Sequence, residues 1–318
     1  FDMSMFIVNE SGSGYNRGIK RGKRMYTDDY MTYLKKEKRM SENTRAAYGR
    51  DLTEFVAFEG ARGMTDLLGV TSTEIIAFLH HLKSLGKSSA TVNRKLASLR
   101  SFFHYLIHAG MMESDPTENI KSPKIERKTI EYLEMSEIEK LMAVPDDSVR
   151  GVRDRAILEV LYATGIRVSE LIASNLEDVN MRMGFITCAG EQSHARIVPL
   201  GRPARAALEN YIYEARDQLL RGKEEEQALF INFYGNRMTR QGLWKILKEY
   251  GAKAELSHKL TPHIIRNSFA VHMLQNGADL KSLQELMGHE DISATQIYLS
   301  ATKSRIKDVY DKSHPRAK

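Results

Sequence analysis

Three short stretches hold the residues that could do chemistry. ATGIRVSEL puts Arg167 just after a glycine turn, at the start of a helix. TPHIIRNSFAVHML offers His263 and Arg266, three positions apart and so on one helical face. LMGHEDISATQIY adds His289 and Tyr298. Taken singly, each has an ordinary explanation. A helical His/Arg pair is usually a surface or core hydrogen-bonding pair, a loop histidine is usually structural, and a tyrosine on an amphipathic helix usually fills the core. Together they make a set suited to phosphodiester chemistry. Two guanidiniums can neutralise the non-bridging oxygens of a phosphorane-like transition state. Imidazoles can move a proton or donate a hydrogen bond near neutral pH. A tyrosine hydroxyl can attack phosphorus and store the bond energy as a phosphotyrosine ester.

Local signals say which elements would position these groups. Pro262 sits where a helix can begin. Ile264, Ile265, Phe269 and Met273 can fill the core behind His263 and Arg266. Gly288 suits a helix C-terminus, which leaves His289 in a loop before the helix of Tyr298. RDRAILEVLYATG reads as a buried helix closed by Gly165, and Ser136 with Glu139 reads as a capping box before it. GFITCA and ARIVPL, around the turn GEQSH, are the clear strand pair of the chain. Helical patterns return in ARAALENYIYEARDQLL and TRQGLWKILKEYGAKA.

The first part of the chain is patterned differently. Ser41 can cap a helix whose apolar positions include Tyr48, Leu52, Phe55 and Phe58. Thr71 and Glu74 form a capping box for a helix with Ile75, Ile76, Leu79 and Leu82, ended by Gly86. Val92, Leu96, Leu99, Phe103 and Leu106 make one stripe of a further helix, with Arg94, Lys95 and Arg100 off it. A helical bundle with basic outer faces is expected, able to grip phosphates through contacts that weaken with salt. Residues 1–25, with Gly-Ser and Lys-Arg clusters, read as a disordered basic tail. The polar segment 116–131, with two prolines, reads as a linker between a domain at 26–115 and another at 132–318.

Composition agrees with two domains in 318 residues. No apolar run is long enough to span a membrane, and no secretory signal is visible. The single cysteine, Cys188, excludes an internal disulfide, fits a reducing cytoplasm and reads as filler on a buried strand. Residues 1–128 hold 21 Lys+Arg against 15 Asp+Glu, while the remainder holds 26 of each. The whole net charge of +6 therefore lies in the first part, as in a basic module joined to a neutral one around a polyanion.

ATGIRVSEL, TPHIIRNSFAVHML, LMGHEDISATQIY and the closing HPRA resemble the tyrosine recombinase (phage integrase) family, most closely its bacterial Xer-type members. The resemblance extends over nearly all of residues 26–318, through SENTRAAYGRDL and SSATVNRKLASLRSFFHYL. It implies a mainly α fold with a small β-sheet: a helical, SAM-like core-binding domain and a catalytic domain forming a C-shaped clamp on DNA. It implies that Tyr298 is the nucleophile, that Arg167 and Arg266 clamp the scissile phosphate, that His263 serves as acid/base or positioning residue, and that His289 supports the site. It implies a 3′-phosphotyrosyl intermediate, resolved by the 5′-hydroxyl of a partner strand, with neither metal nor cofactor. The expected partners are double-stranded DNA with an inverted-repeat site, three further subunits in a homo- or hetero-tetramer, and a division-linked DNA translocase. Chromosome dimer resolution is the implied role, with a mobile-element integrase as alternative. Arg45, Arg94, Lys95, Arg100 and Arg240 are the candidate DNA contacts.

The sequence departs from the family in the strand turn. The family places a catalytic lysine there, which protonates the leaving 5′-oxygen. Here AGEQSHARIVPL puts Glu191 at that position and His194 at the family's second lysine position. A carboxylate repels a scissile phosphate, and it donates no proton at neutral pH unless its pKa is raised well above about 4.3. Three readings follow: His194 supplies the proton, the protein is an impaired recombinase that still binds DNA, or a lysine enters from elsewhere or from a partner subunit. Asn267 is a smaller departure, since the family more often has histidine after the arginine.

Overall fold

The computed structural model describes residues 26–64, 66–124, 129–190, 193–256 and 260–299. The expected N-terminal tail, Glu191 and the C-terminal segment 303–318 lie outside the described residues, as does the side chain of His194. The chain divides into two compact units, Phe1–Arg127 and Lys128–Lys318. Among the described residues no helix is long and apolar enough to cross a membrane.

The first unit is helical: α1 (26–36), α2 (Glu42–Ala61), α3 (Ser72–Ser84) and α4 (Ser89–His108). The predicted stripe of α4 is buried throughout, and it meets Leu52 and Phe55 of α2 and Phe78 of α3 in one core. Ser41 caps α2 through Thr44 N–H at 3.1 Å. At α3 both halves of the capping box form: Thr71 Oγ1 accepts from Thr73 N–H, and the Glu74 carboxylate accepts from Thr71 N–H at 2.9 Å. Thr71→Ala is expected to lower the stability of this unit by about 1 kcal/mol, read as a shifted urea midpoint with an unchanged slope. A midpoint that does not move would mean that the cap contributes nothing.

One expectation for the basic faces is corrected. Lys95 is buried, with Nζ on Asp51 Oδ1 at 3.0 Å and on Glu54 Oε2 at 2.7 Å. It lies off the apolar stripe of its own helix, but α2 brings two carboxylates over it. Asp51, itself buried, also takes Arg94 and the Ser98 hydroxyl. Lys95 is thus an internal cation and is not placed to contact DNA. Arg100 donates to Ile120 O and to Ser122 Oγ. The Nε of Arg45 is buried without a hydrogen-bond partner, and Arg240 is exposed at the first turn of its helix.

The second unit opens with α5 (Met135–Ala143) and α6 (Val149–Thr164). Here the N-cap of α5 lies two residues earlier than predicted. Glu134 is the N-cap, because the Glu137 carboxylate accepts from its N–H at 2.9 Å, and Ser136 falls in the first turn. After α7 (Val168–Ala173) comes an antiparallel sheet of β1 (Val179–Asn180), β2 (Phe185–Gly190) and β3 (Ser193–Pro199), in that order. The predicted pair is present, with Cys188 buried and opposite Arg196. The added strand, β1, is two residues long and offers no alternation to detect. The predicted helix over 204–220 forms as α8 (Arg202–Asn210) and α9 (Arg216–Leu220), joined by a π-helical turn at Tyr211–Ala215. Then follow α10 (Arg240–Lys253), α11 (Pro262–Gln275), α12 (Leu280–Met287) and α13 (Ser293–Gln296). The sheet and α6 to α11 share one apolar core, and a smaller cluster of Phe269, Ala270, Val271, Leu283, Met287 and Tyr298 adjoins it.

Candidate active site

The site is gathered at the C-terminal end of α12. The last carbonyls of a helix have no partner within it and carry partial negative charge. Three successive ones each take a guanidinium. Leu286 O accepts from Arg196 Nε at 2.7 Å, Met287 O from Arg266 Nη2 at 2.6 Å, and Gly288 O from Arg167 Nη2 at 2.6 Å. Gly288 ends the helix with φ of +62°, where a side chain is strained, and a Cβ there would lie 2.9 Å from Arg196 Nη1. The glycine lets β3 approach closely.

A second device holds the arginines together. Glu170 on α7 is buried, and its carboxylate binds Arg196 Nη1 at 2.8 Å and Nη2 at 3.0 Å. It also binds the backbone N–H of Arg167 at 2.8 Å and Arg167 Nη1 at 3.0 Å. Burial, the largest single influence, would raise this carboxyl, but the hydrogen bonds and charges of Arg196 and Arg167 together outweigh it and hold the pKa at about 2. Among the described residues the site thus gathers three guanidiniums, two of them bonded to the one carboxylate, and the remaining positive charge suits an anion. Of the three, Arg167 has the most exposed side chain, at 36%, against 10% for Arg196.

Arg266 projects from α11 into the core and is 7% exposed. Besides Met287 O it donates to Gly165 O and to His289 Nε2, the latter at 3.0 Å. Gly165 ends α6 with φ of +56°, and a Cβ there would meet Phe269 at 2.4 Å, so glycine is required where that carbonyl turns toward Arg266. Burial, with the charge of Arg167 second, lowers the Arg266 pKa to about 10, which leaves it charged at neutral pH.

His289 is fixed at both nitrogens. Because Arg266 can only donate, Nε2 accepts, and Nδ1–H donates to the buried Thr295 Oγ1 at 2.8 Å. Burial, followed by Arg266, Arg167 and Arg196, lowers its pKa to about 4. It is therefore neutral at pH 7 and orients Arg266.

Tyr298 lies just beyond α13. Its ring packs in the smaller apolar cluster, 4% exposed, and its hydroxyl donates to Asn267 Oδ1 at 3.2 Å. Burial raises its pKa, while Arg266 and Arg167 pull it the other way. His263 is exposed on the first turn of α11, one turn before Arg266 and Asn267.

The fold thus brings Arg167, Arg266, His289 and Tyr298 to one place, with His263 at its exposed side. Sequence reasoning passed over Glu170, Thr295 and the anchoring of Arg196. Glu170 was detectable locally, since it stands at the third position of the helix that Arg167 caps. Thr295 is recognisable only through the ring it faces.

Known proteins share the sequence and the fold of this chain. Residues 131–305 match the Phage integrase family, and residues 27–110 match its N-terminal SAM-like domain. The tyrosine recombinase XerD of Oceanobacillus iheyensis is 45% identical, over 91% of this chain and 98% of the relative. XerD of Listeria monocytogenes serotype 4b is 46% identical over 91% and 98%. Among solved structures, XerH site-specific recombinase bound to a palindromic difH substrate superposes with a TM-score of 0.72 at 20% identity, over 95% of this chain and 89% of that one. A lambda integrase dimer bound to a core site gives 0.66 at 17% identity, over 86% and 94%. These last two likenesses show the fold. The chain belongs to the phage integrase family, as a site-specific tyrosine recombinase, an enzyme that cuts and rejoins DNA.

Proposed function

We propose that this recombinase resolves chromosome dimers by strand exchange at an inverted-repeat site. The observation that carries the reading is the collection of Arg167, Arg266 and Arg196 on three successive carbonyls of one helix end, with Tyr298 adjoining. Arg167 and Arg266 hold the non-bridging oxygens of the scissile phosphate, and their charge offsets the charge that builds in the transition state. The Tyr298 oxygen attacks phosphorus and its proton passes to His263. The 5′-oxygen leaves with a proton, and a 3′-phosphotyrosyl ester remains. The 5′-hydroxyl of a partner strand then reverses the step, so the ester conserves the bond energy. His289 keeps Arg266 in register throughout.

The unit at 26–115 would grip DNA and the segment 116–131 would join it to the catalytic unit at 132–318. Arg45, Arg94, Arg100 and Arg240 remain candidate phosphate contacts, to which Lys95 no longer belongs. The working form is a tetramer on DNA, built from this chain alone or with a paralogue, in the cytoplasm and beside a division-linked translocase. The XerD relatives favour this role over a mobile-element integrase, and their being recombinases favours an enzyme over a DNA-binding paralogue. With Glu191 at the lysine position, the proton for the leaving oxygen comes from His194 or from a lysine brought in with DNA or a partner subunit.

The test is covalent trapping on nicked duplex carrying the candidate site. A protein–DNA adduct that survives denaturation is expected, and peptide mass mapping should place the nucleotide on Tyr298. An adduct on another residue, or site binding with no adduct at all, would overturn the assignment.

A further inference from the structure

The Tyr298 hydroxyl is engaged before DNA arrives. Its polarity follows from its neighbours. Asn267 Nδ2 donates to the Glu131 carbonyl at 3.0 Å, and a carbonyl can only accept. Oδ1 therefore faces the phenol, and the phenol must donate, across 3.2 Å. An amide oxygen accepts this hydrogen bond but is no base, so the proton stays on the phenol. The ring itself is 4% exposed among Phe269, Val271, Leu283 and Met287.

The residue that holds the hydroxyl is in turn fastened to the segment leading into this unit. Next to Asn267, Ser268 Oγ accepts from the Leu133 N–H at 2.8 Å. The Tyr132 ring meets His272 edge-on, with centroids 6.1 Å apart. Ile130 and Tyr132 pack against the cluster that contains Tyr298. Residues 130–133 thus lie along α11 beside the point where the hydroxyl is bound.

We infer that Asn267 is a positioning residue that retains Tyr298, with the Glu131 carbonyl setting its amide. The inference rests on Tyr298 being the nucleophile. A phosphodiester within duplex DNA cannot reach a phenol that is 4% exposed. The hydroxyl leaves Asn267 before its oxygen bonds to phosphorus, its proton passes to the base and the 5′-oxygen departs. Removing the acceptor removes one neutral hydrogen bond from the retained state, which raises the released population about two- to tenfold.

The full chain with Asn267→Ala is compared with the natural protein on saturating nicked DNA under single-turnover conditions. Adduct should form about two- to tenfold faster, with DNA affinity unchanged. In DNA-free protein, tetranitromethane should nitrate Tyr298 faster, read peptide by peptide. Tyr211, buried in the main core with its hydroxyl on the Ile231 N–H, is the internal control. Asn267→Ser, too short to span both partners, replaces the alanine variant if that fails to fold. Unchanged nitration of Tyr298 overturns the inference, and so does faster nitration with slower cleavage. If the natural protein forms no adduct, the nucleophile assignment fails, while the nitration arm still decides whether Asn267 retains the side chain.

Discussion

Replacing Tyr298 by phenylalanine is expected to remove the covalent DNA adduct entirely and leave DNA affinity unchanged. The ring is held by Phe269, Ala270, Val271, Leu283 and Met287, and phenylalanine keeps those contacts. What is lost is the oxygen that attacks phosphorus and one hydrogen bond, to Asn267 Oδ1. Asn267 is only half-buried, so water can take the vacated acceptor, and the stability cost should stay within about 1 kcal/mol. The hydroxyl of Tyr162, which also packs against this cluster, is already paired with His272 Nδ1 at 2.9 Å. A denaturing gel reads the adduct, a filter or mobility assay reads the affinity, and a thermal melt shows that the variant is folded. Adduct at the natural level in this variant would remove Tyr298 from the mechanism.

Much of this site could be read before any coordinates. The motifs around Arg167, Arg266, His289 and Tyr298 named residues that the fold brings together, because each sits at a helix start or end whose signals are local. Pro262 opens α11, Gly165 closes α6 and Gly288 closes α12. What could not be read was pairing across long separations. Lys95 stands off the stripe of α4 by helical period, yet Asp51 lies 44 positions away in sequence and 3.0 Å away in space. The bond from Arg196 to Glu170 spans 26 positions, and the bond from Asn267 to Glu131 spans 136. Helical periodicity reports which face is apolar. It is silent about a carboxylate that another helix brings over a polar position. The π-helical turn at Tyr211–Ala215 escaped for a different reason, since one wider turn leaves the apolar pattern of a long helix almost intact.

Glu170→Ala should damage both the fold and the chemistry, and it is the largest stability effect expected in the catalytic unit. The carboxylate is 1% exposed, and its hydrogen bonds among the described residues include two to Arg196 and two to Arg167. Its removal leaves the Arg196 guanidinium buried against the Leu286 carbonyl with no counter-charge among the described residues. Breaking a buried pair in this way typically costs about 3–5 kcal/mol, or roughly 10 °C in the melting temperature of a unit this size. Adduct formation should fall as well, because Arg167 loses the support that aims it past Gly288. Glu170→Gln keeps the shape and one acceptor, so it should fall between the two. The pH dependence separates lost charge from lost packing. The native carboxyl titrates at about 2 against an ordinary 4.5, so its contribution is complete above pH 4.5 and disappears as the pH falls toward 2. The gap in melting temperature between natural protein and alanine variant should therefore be widest near neutrality and narrow below pH 4.5. A gap that stays constant through that range would mean that the carboxylate acts by filling space, and the arginines would then be held by the end of α12 alone.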